Sequence, residues 1–363
     1  MLKNILIFFL ISTSLYAVSL KELLNSIEVT NENYQAQQAL QQMAKKQYES
    51  ASKDNFPTLN LIGAYENNSK VLEHEPEDIL YGELKASYIL YDGGRITNNK
   101  LAKKSLHESQ KFNTQYLKQE IMLDVIREYF SFQNSKSAIE VLNYKINELD
   151  EQIKKSEILV KNDLATKDKL QALIASKKES LYDIETLKID LENAILQLSL
   201  LTGLDILPQD DDKLLEPIYK EEQRYNIEAK KLEAQRSKYS SEKYNYLPTI
   251  SINNSLKKQE YLHYDEIYND KLNNQISLQI NIPIFDFGKI SKDKEASQLE
   301  TLALNKEIEY KEKSIQIERK LALKSLESSK IKLDSAIAAL EATNTTYEFS
   351  KKRFDANLIS YTE

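Results

Sequence analysis

The sequence predicts a mixed α and β fold, mainly α, with an internal two-fold repeat, in which long coiled-coil helical hairpins accompany four membrane β-strands per chain. Three observations predict it. Glycine and proline are scarce, at 6 each in 363 residues, so the chain has little turn-forming material and favours long uninterrupted elements. Four segments alternate apolar and polar residues with a period of two. The same order of motifs also occurs twice along the chain.

The repeat is read directly from residues. Phe56-Pro57-Thr58-Leu59 is echoed by Leu247-Pro248-Thr249-Ile250 at an offset of 191, and Tyr34 and Tyr48 are matched by Tyr225 and Tyr239. Tyr91-Asp92-Gly93-Gly94-Arg95-Ile96 is echoed by Phe285-Asp286-Phe287-Gly288-Lys289-Ile290 at an offset of 194, which Leu164 and Leu358 keep. Three residues inserted in a polar loop account for the change. Residues 18–210 form the first repeat (helix, two strands, long helical hairpin) and residues 211–363 the second.

Residues 1–17 read as a secretory signal peptide. Lys3 supplies the positive end, an apolar run begins at Ile5, and Leu15-Tyr16-Ala17 ends it, so processing after Ala17 would leave Val18 first. No later segment reaches 18 apolar residues, so any membrane entry must use strands.

In each half a helix comes next, over residues 20–55 and 218–245. Pro57 and Pro248 stop these helices, because proline disfavours the helical conformation in the residue before it. Strands are expected at 58–65, 83–91, 249–256 and 275–284. One face carries Leu59, Leu61, Gly63 and Tyr65; then Leu84, Ala86, Tyr88 and Leu90; then Ile250, Ile252 and Leu256; then Ile276, Leu278, Ile280, Ile282 and Ile284. Against the last run stand Ser277, Gln279 and Asn281, the pattern of a strand with one lipid face and one lumen face. Polar loops are expected at 67–81 and 257–274.

From Arg95 to Lys161 there is no proline or glycine, which predicts a helix on the order of 100 Å long. Its apolar residues step by threes and fours through Ile139, Leu142, Ile146, Leu149, Ile153 and Val160. A returning arm does the same through Ile184, Leu187, Leu191, Ala194, Leu198 and Leu201, giving a coiled-coil seam. Asn162 and Asp163 make the turn, since both residue types tolerate left-handed backbone. Thr202-Gly203 ends the arm. Asp92 and Asp286, at the strand–helix junctions, read as helix N-caps, with Gly94 and Gly288 easing the turn.

Composition excludes several functions. A net charge of −7 argues against nucleic acid, and Lys154-Lys155 lies between Glu151 and Glu157 as a solvated face. Absence of cysteine rules out disulfides and thiolate metal sites. His74, His107 and His263 have no metal-ligand spacing. No catalytic triad, phosphate loop or metal motif is present, so no cofactor is expected and the chain reads as a non-enzyme.

Together these features resemble the TolC-type outer-membrane efflux protein family. The resemblance rests on the two proline-led strand starts, the paired strand–helix junctions and Arg353-Phe354-Asp355-Ala356-Asn357. It implies an outer-membrane location with the helices in the periplasm, and a homotrimer whose strands close a twelve-stranded barrel. It further implies docking on a periplasmic adaptor and, through it, an inner-membrane pump of a tripartite efflux or type I secretion system. Sharing of strands also follows from physics: four strands cannot close a membrane barrel, and an open edge in lipid leaves backbone groups unpaired. By the resemblance the docking tips are Asn162, Asp163 and Leu164 with Ala356, Asn357 and Leu358. The family usually places glycine at these tips, where this chain has Asp163 and Asn357. An acidic residue six places after the second tip helps form a periplasmic gate in the family, and Glu363 holds that place. A periplasmic adaptor is the alternative reading, but it would carry a glycine-bearing β module beside its helices. A secreted coiled-coil structural protein is another, against which the isoleucine-striped strands argue. Repeat logic also expects a returning arm of about 34 residues after Glu363.

Overall fold

A computed structural model describes residues 17–68, 78–164, 166–204, 207–209, 223–243, 245–262 and 272–356. The signal-peptide reading of residues 1–17 therefore falls almost wholly outside the described residues. In chain order the elements are β1 (Ala17–Val18), α1 (Leu20–Thr30), α2 (Glu32–Ala51), β2 (Thr58–Asn67), β3 (Asp78–Tyr91), α3 (Arg95–Lys161), α4 (Lys167–Thr202), β4 (Leu207–Pro208), α5 (Gln223–Lys243), β5 (Thr249–Leu262), β6 (Leu272–Asn281) and α6 (Lys289–Asp355). They fall into two compact units, one reaching to Ser297 and the other starting at Gln298.

In the first unit α1 starts on a capping box: the Ser19 hydroxyl accepts from the Glu22 N–H, and the Glu22 carboxylate accepts from the Ser19 N–H at 3.0 Å. Its buried stripe, Leu20, Leu23 and Ile27, packs with Tyr34 against Ile121, Val125 and Tyr129 of α3 and Leu198 of α4. The Tyr129 hydroxyl donates to the Gln209 carbonyl, and β1 pairs in parallel with β4. These contacts hold the segment after α4 against the same core.

The expected single helix over residues 20–55 is two helices. Asn31 has extended backbone and serves both as C-cap of α1 and as N-cap of α2. Its side-chain oxygen accepts from the Tyr34 N–H at 2.7 Å, while its amide donates to the Leu201 carbonyl at 2.7 Å. Thr30 Oγ1 donates to the Thr202 carbonyl. The last carbonyls of α4 need donors, and the break between α1 and α2 supplies them.

Helix α3 has the predicted bounds and is the spine of this unit, contacting α1, α2, α4 and α5. The predicted seam residues lie on its covered side and on that of α4: Leu149, Ile184, Ala194 and Leu198 are buried, and the others are half-buried. An ion pair of 2.6 Å from Lys177 to Asp150 crosses between the arms. Gly203 ends α4 in left-handed backbone at φ 67°, and a Cβ there would meet the Thr30 carbonyl at 2.8 Å.

The four long strands form one antiparallel sheet, ordered β2-β3-β5-β6. Five expected boundaries change. Strands β2, β3, β5 and β6 run on into both segments read as polar loops, so Lys257 and Lys258 are strand residues. Charge does not end a strand where the pleat delivers it to a polar face, as it does Lys257; Lys258 falls on the other side, opposite Gly82. At its other end β6 stops at Asn281, so Ile282 and Ile284 lie beyond it, because Pro283 has no N–H for the ladder.

The second unit is the rest of α6. Leu302, Ile317, Leu321, Ile331, Ile337 and Leu340 along it are exposed.

Candidate functional site

Register in an antiparallel ladder puts directly opposed residues on one face. Across the sheet run the rows Tyr65–Leu80–Glu260, Gly63–Gly82–Lys258–Leu272, Leu61–Leu84–Leu256–Asn274, Leu59–Ala86–Asn254–Ile276, Tyr88–Ile252–Leu278 and Tyr91–Ile250–Ile280. The four alternating patterns thus collect on one side, with their large side chains exposed there, Leu61 and Ile276 among them. The opposite face carries Asn60, Lys85, Ser87, Ser251, Asn253, Ser255, Gln275, Ser277 and Gln279.

One residue changes face. A bulge between Ile89 and Tyr91 leaves Leu90 out of the pairing and turns Tyr91, opposite Ile250, onto the apolar side. Tyrosines then mark both ends of that side, Tyr65 at one and Tyr88 and Tyr91 at the other. Ten pairing steps separate the Tyr91 and Tyr65 rows. At about 3.4 Å per step and a tilt of about 40°, the rows stand roughly 26 Å apart in height, close to the ~25 Å apolar band of outer-membrane strands.

The polar face is internally bonded near the Tyr65 end. Ser255 Oγ donates to Glu83 Oε1 at 2.7 Å, Glu83 stands opposite Lys257, and Lys257 Nζ lies 3.9 Å from the Tyr81 ring centre. Both edges of the sheet are open: among the described strands, β2 pairs only with β3 and β6 only with β5.

At the junctions, Asp92 and Asp286 stand two residues ahead of the expected cap position, but each still caps its helix. Asp92 Oδ1 accepts from the Gly94 N–H at 2.8 Å and Oδ2 from the Ile96 N–H at 2.5 Å. Asp286 accepts from Gly288 at 3.0 Å and Ile290 at 2.7 Å in the same way. Gly94 and Gly288 are both left-handed at φ 83°. Sequence reasoning did not anticipate that Phe287 shares this conformation, at φ 55°.

At the far end of the hairpin, Asp163 takes left-handed backbone at φ 56° and Leu164 N–H donates to the Leu159 carbonyl at 2.8 Å. The Asn162 amide donates to the Ile158 carbonyl at 2.8 Å. Leu164 is exposed. Ala356 follows α6, its N–H donating to the Lys352 carbonyl at 3.1 Å. Asn357, Leu358 and Glu363 lie outside the described residues. Among the described residues, no helix is long and apolar enough to cross a membrane, and no cluster of His, Asp and Glu could hold a metal.

Residues 23–194 match the sequence model of the outer membrane efflux protein family. No curated protein matches the sequence at a significant level. Among solved structures the chain is similar to CusC, described for the conformational changes of its folding and transmembrane channel formation. The two are 16% identical with a TM-score of 0.80, over 96% of this chain and 85% of that one. The Campylobacter jejuni CmeC outer membrane channel gives 15% and 0.79, over 94% and 78%. The outer membrane protein VceC of Vibrio cholerae gives 15% and 0.74, over 94% and 87%. At these identities the likeness is one of fold: long helices and four antiparallel strands arranged as in TolC-type channel subunits.

Proposed function

We infer, from the match of residues 23–194 to the outer membrane efflux protein model and from a fold like that of TolC-type channel subunits, that this protein forms an outer-membrane export conduit. The observation that carries the reading is the sheet, apolar on one side, polar on the other, and open at both edges. In lipid those edges must be paired. Copies of the chain close them, β2 of one against β6 of the next, and the polar face then lines a water-filled lumen. Three copies give a twelve-stranded barrel, the number that the family resemblance implies. The long helices continue the conduit into the periplasm.

The tips dock a periplasmic adaptor, which couples the channel to an inner-membrane pump of an efflux or type I secretion system. Asn162, Asp163 and Leu164 form one tip, and Ala356, Asn357 and Leu358 the other. The left-handed Asp163 and exposed Leu164 support the first, because they present a short, tight turn with an apolar residue at its apex. Glu363 contributes to the periplasmic constriction. Asp92, Gly94, Asp286 and Gly288 set the angle at which the helices leave the membrane. The chain does no covalent chemistry.

The test uses the absence of native cysteine. Single cysteines placed along the outward edges of β2 and β6 should crosslink between copies in outer-membrane fractions, giving an oligomer of three chains that resists detergent and conducts in planar bilayers. Cysteines at positions 164 and 358 should capture an adaptor. A soluble monomer would overturn the reading in favour of a coiled-coil structural protein. An inner-membrane location would overturn it in favour of an adaptor.

A further inference from the structure

The polar face of the sheet does not spread its charge evenly. Among the described strands it carries Glu66, Glu83, Lys85 and Lys257 as its charged residues. Glu83 and Lys257 stand directly opposite each other; Glu83 Oε1 accepts from Ser255, and Lys257 Nζ lies over the Tyr81 ring. Glu66 is six pairing steps from the Lys85 row, about 16 Å in height at ~3.4 Å per step and a tilt of about 40°. Lys85 is the charge left over. Its cross-strand row, Asn60–Lys85–Ser255–Gln275, holds no other charge and lies midway between the Tyr65 and Tyr91 rows. The next two rows toward the helices, Thr58–Ser87–Asn253–Ser277 and Ile89–Ser251–Gln279, are uncharged. So a chain of net charge −7 presents a positive surplus at the middle of this face.

We propose that Lys85 sets the charge preference of the conduit, favouring anionic over cationic solutes at mid-membrane. This assignment rests on the channel reading above. Copies of the chain around one axis bring their Lys85 side chains to one height and form a ring. Twelve strands about 4.8 Å apart, tilted by about 40°, close a cylinder of roughly 12 Å radius. An extended lysine stem spans about half of that radius. Each ammonium then lies within about one Debye length of the axis, ~8 Å at physiological salt, so no solute passes outside its field. A ring of lysines attracts anions and repels cations. The solutes favoured are those bearing carboxylate, phosphate or sulfate groups. The opposed Glu83 and Lys257 offset each other, and Glu66 is too far away to cancel the ring.

The chain has no native cysteine, so Lys85→Cys supplies a lone thiol. The full-length variant is inserted into planar bilayers, and its reversal potential is read across a KCl gradient before and after labelling with water-soluble methanethiosulfonates. One reagent bears an ammonium and the other a sulfonate, so the same folded channel carries either charge at one position. Attachment is checked by mass. The proposal expects the ammonium label to restore the parent's chloride-to-potassium permeability ratio. The sulfonate label should lower that ratio at least about threefold below the ammonium value. Lys85→Gln should fall between the two labels, and Lys85→Arg, which keeps the charge, should rescue the parent's ratio. If both labels attach and the ratio does not differ between them, Lys85 does not set the preference and the proposal is refuted. If the thiol of a conducting channel stays unlabelled, Lys85 does not face the lumen and the proposal is again refuted. If the parent chain itself gives no conductance, the channel reading fails, and this assignment with it.

Discussion

Adjacent residues on β6 should respond very differently to the same substitution. Ile276 lies in the row of Leu59, Ala86 and Asn254, four of ten pairing steps from the Tyr91 end, on the apolar face. Gln275 stands opposite Ser255, itself opposite Lys85, halfway between the tyrosine rows on the polar face. Their depths are nearly equal and only the face differs. Ile276→Arg places a guanidinium in hydrocarbon near mid-bilayer, which costs roughly 2–4 kcal/mol in each copy. That corresponds to about a 30- to 700-fold shift in the folding equilibrium of each copy. It also removes an isoleucine that is 69% exposed in the isolated chain and so available to lipid. Gln275→Arg adds a charge beside water, where Lys85 is already tolerated, and should change stability little. Both variants would be folded into vesicles across a urea series, with the heat-modifiable oligomer read on gels. Ile276→Arg should need markedly less urea to unfold, and Gln275→Arg should track the parent chain. Equal losses at the two positions would refute the two-faced membrane sheet.

The packing makes further predictions. Gly203→Ala should destabilise more than Gly94→Ala, by urea midpoint: both impose left-handed strain of about 1–2 kcal/mol, but only the first drives a Cβ to 2.8 Å from the Thr30 carbonyl. Leu198→Ala should cost roughly 2–5 kcal/mol in pulse proteolysis, since Leu198 is fully buried, whereas Leu200→Ala, at a position 73% exposed, should fall within about 0.5 kcal/mol of the parent. Asp286→Ala should speed hydrogen exchange at the Gly288 and Ile290 amides and weaken the start of α6 by about 0.5–2 kcal/mol. The Glu22 carboxyl is held below its ordinary 4.5 by the Ser19 N–H and hydroxyl. A depressed folded-state value means that the cap's contribution is present above pH 4.5 and lost as the pH falls below it, so amide protection at the start of α1 should drop there. Glu22→Gln should abolish that step.

What the sequence made legible follows from where the controlling physics acts. A strand between lipid and water is governed residue by residue, so alternation alone placed Leu59, Leu84, Ile252 and Leu278 on one side, and the register agrees. The bounds of α3 were legible because glycine precedes it and Asn162-Asp163 follows, with nothing between to break a helix. The misreadings share another property. The break at Asn31 depends on the Leu201 carbonyl, 170 residues away, which no local pattern announces. The bulge at Leu90 slips the pleat by one residue and leaves no mark in composition. Charge at Lys257 and Lys258 suggests a loop when charge is taken as a sign of open solvent, whereas the polar face of a sheet holds Lys257 just as well, opposite Glu83 and over Tyr81. Phe287 is the informative case between these. Its mismatch with Gly93 was visible in the repeat, but its meaning required the backbone angle, since only a left-handed turn makes phenylalanine the costlier of the two residues. Comparing two copies of one turn within a chain therefore separates what the turn needs from what the surroundings need. Asp286 and Gly288, matched in both copies, belong to the turn; Phe287, differing, belongs to whatever lies against it.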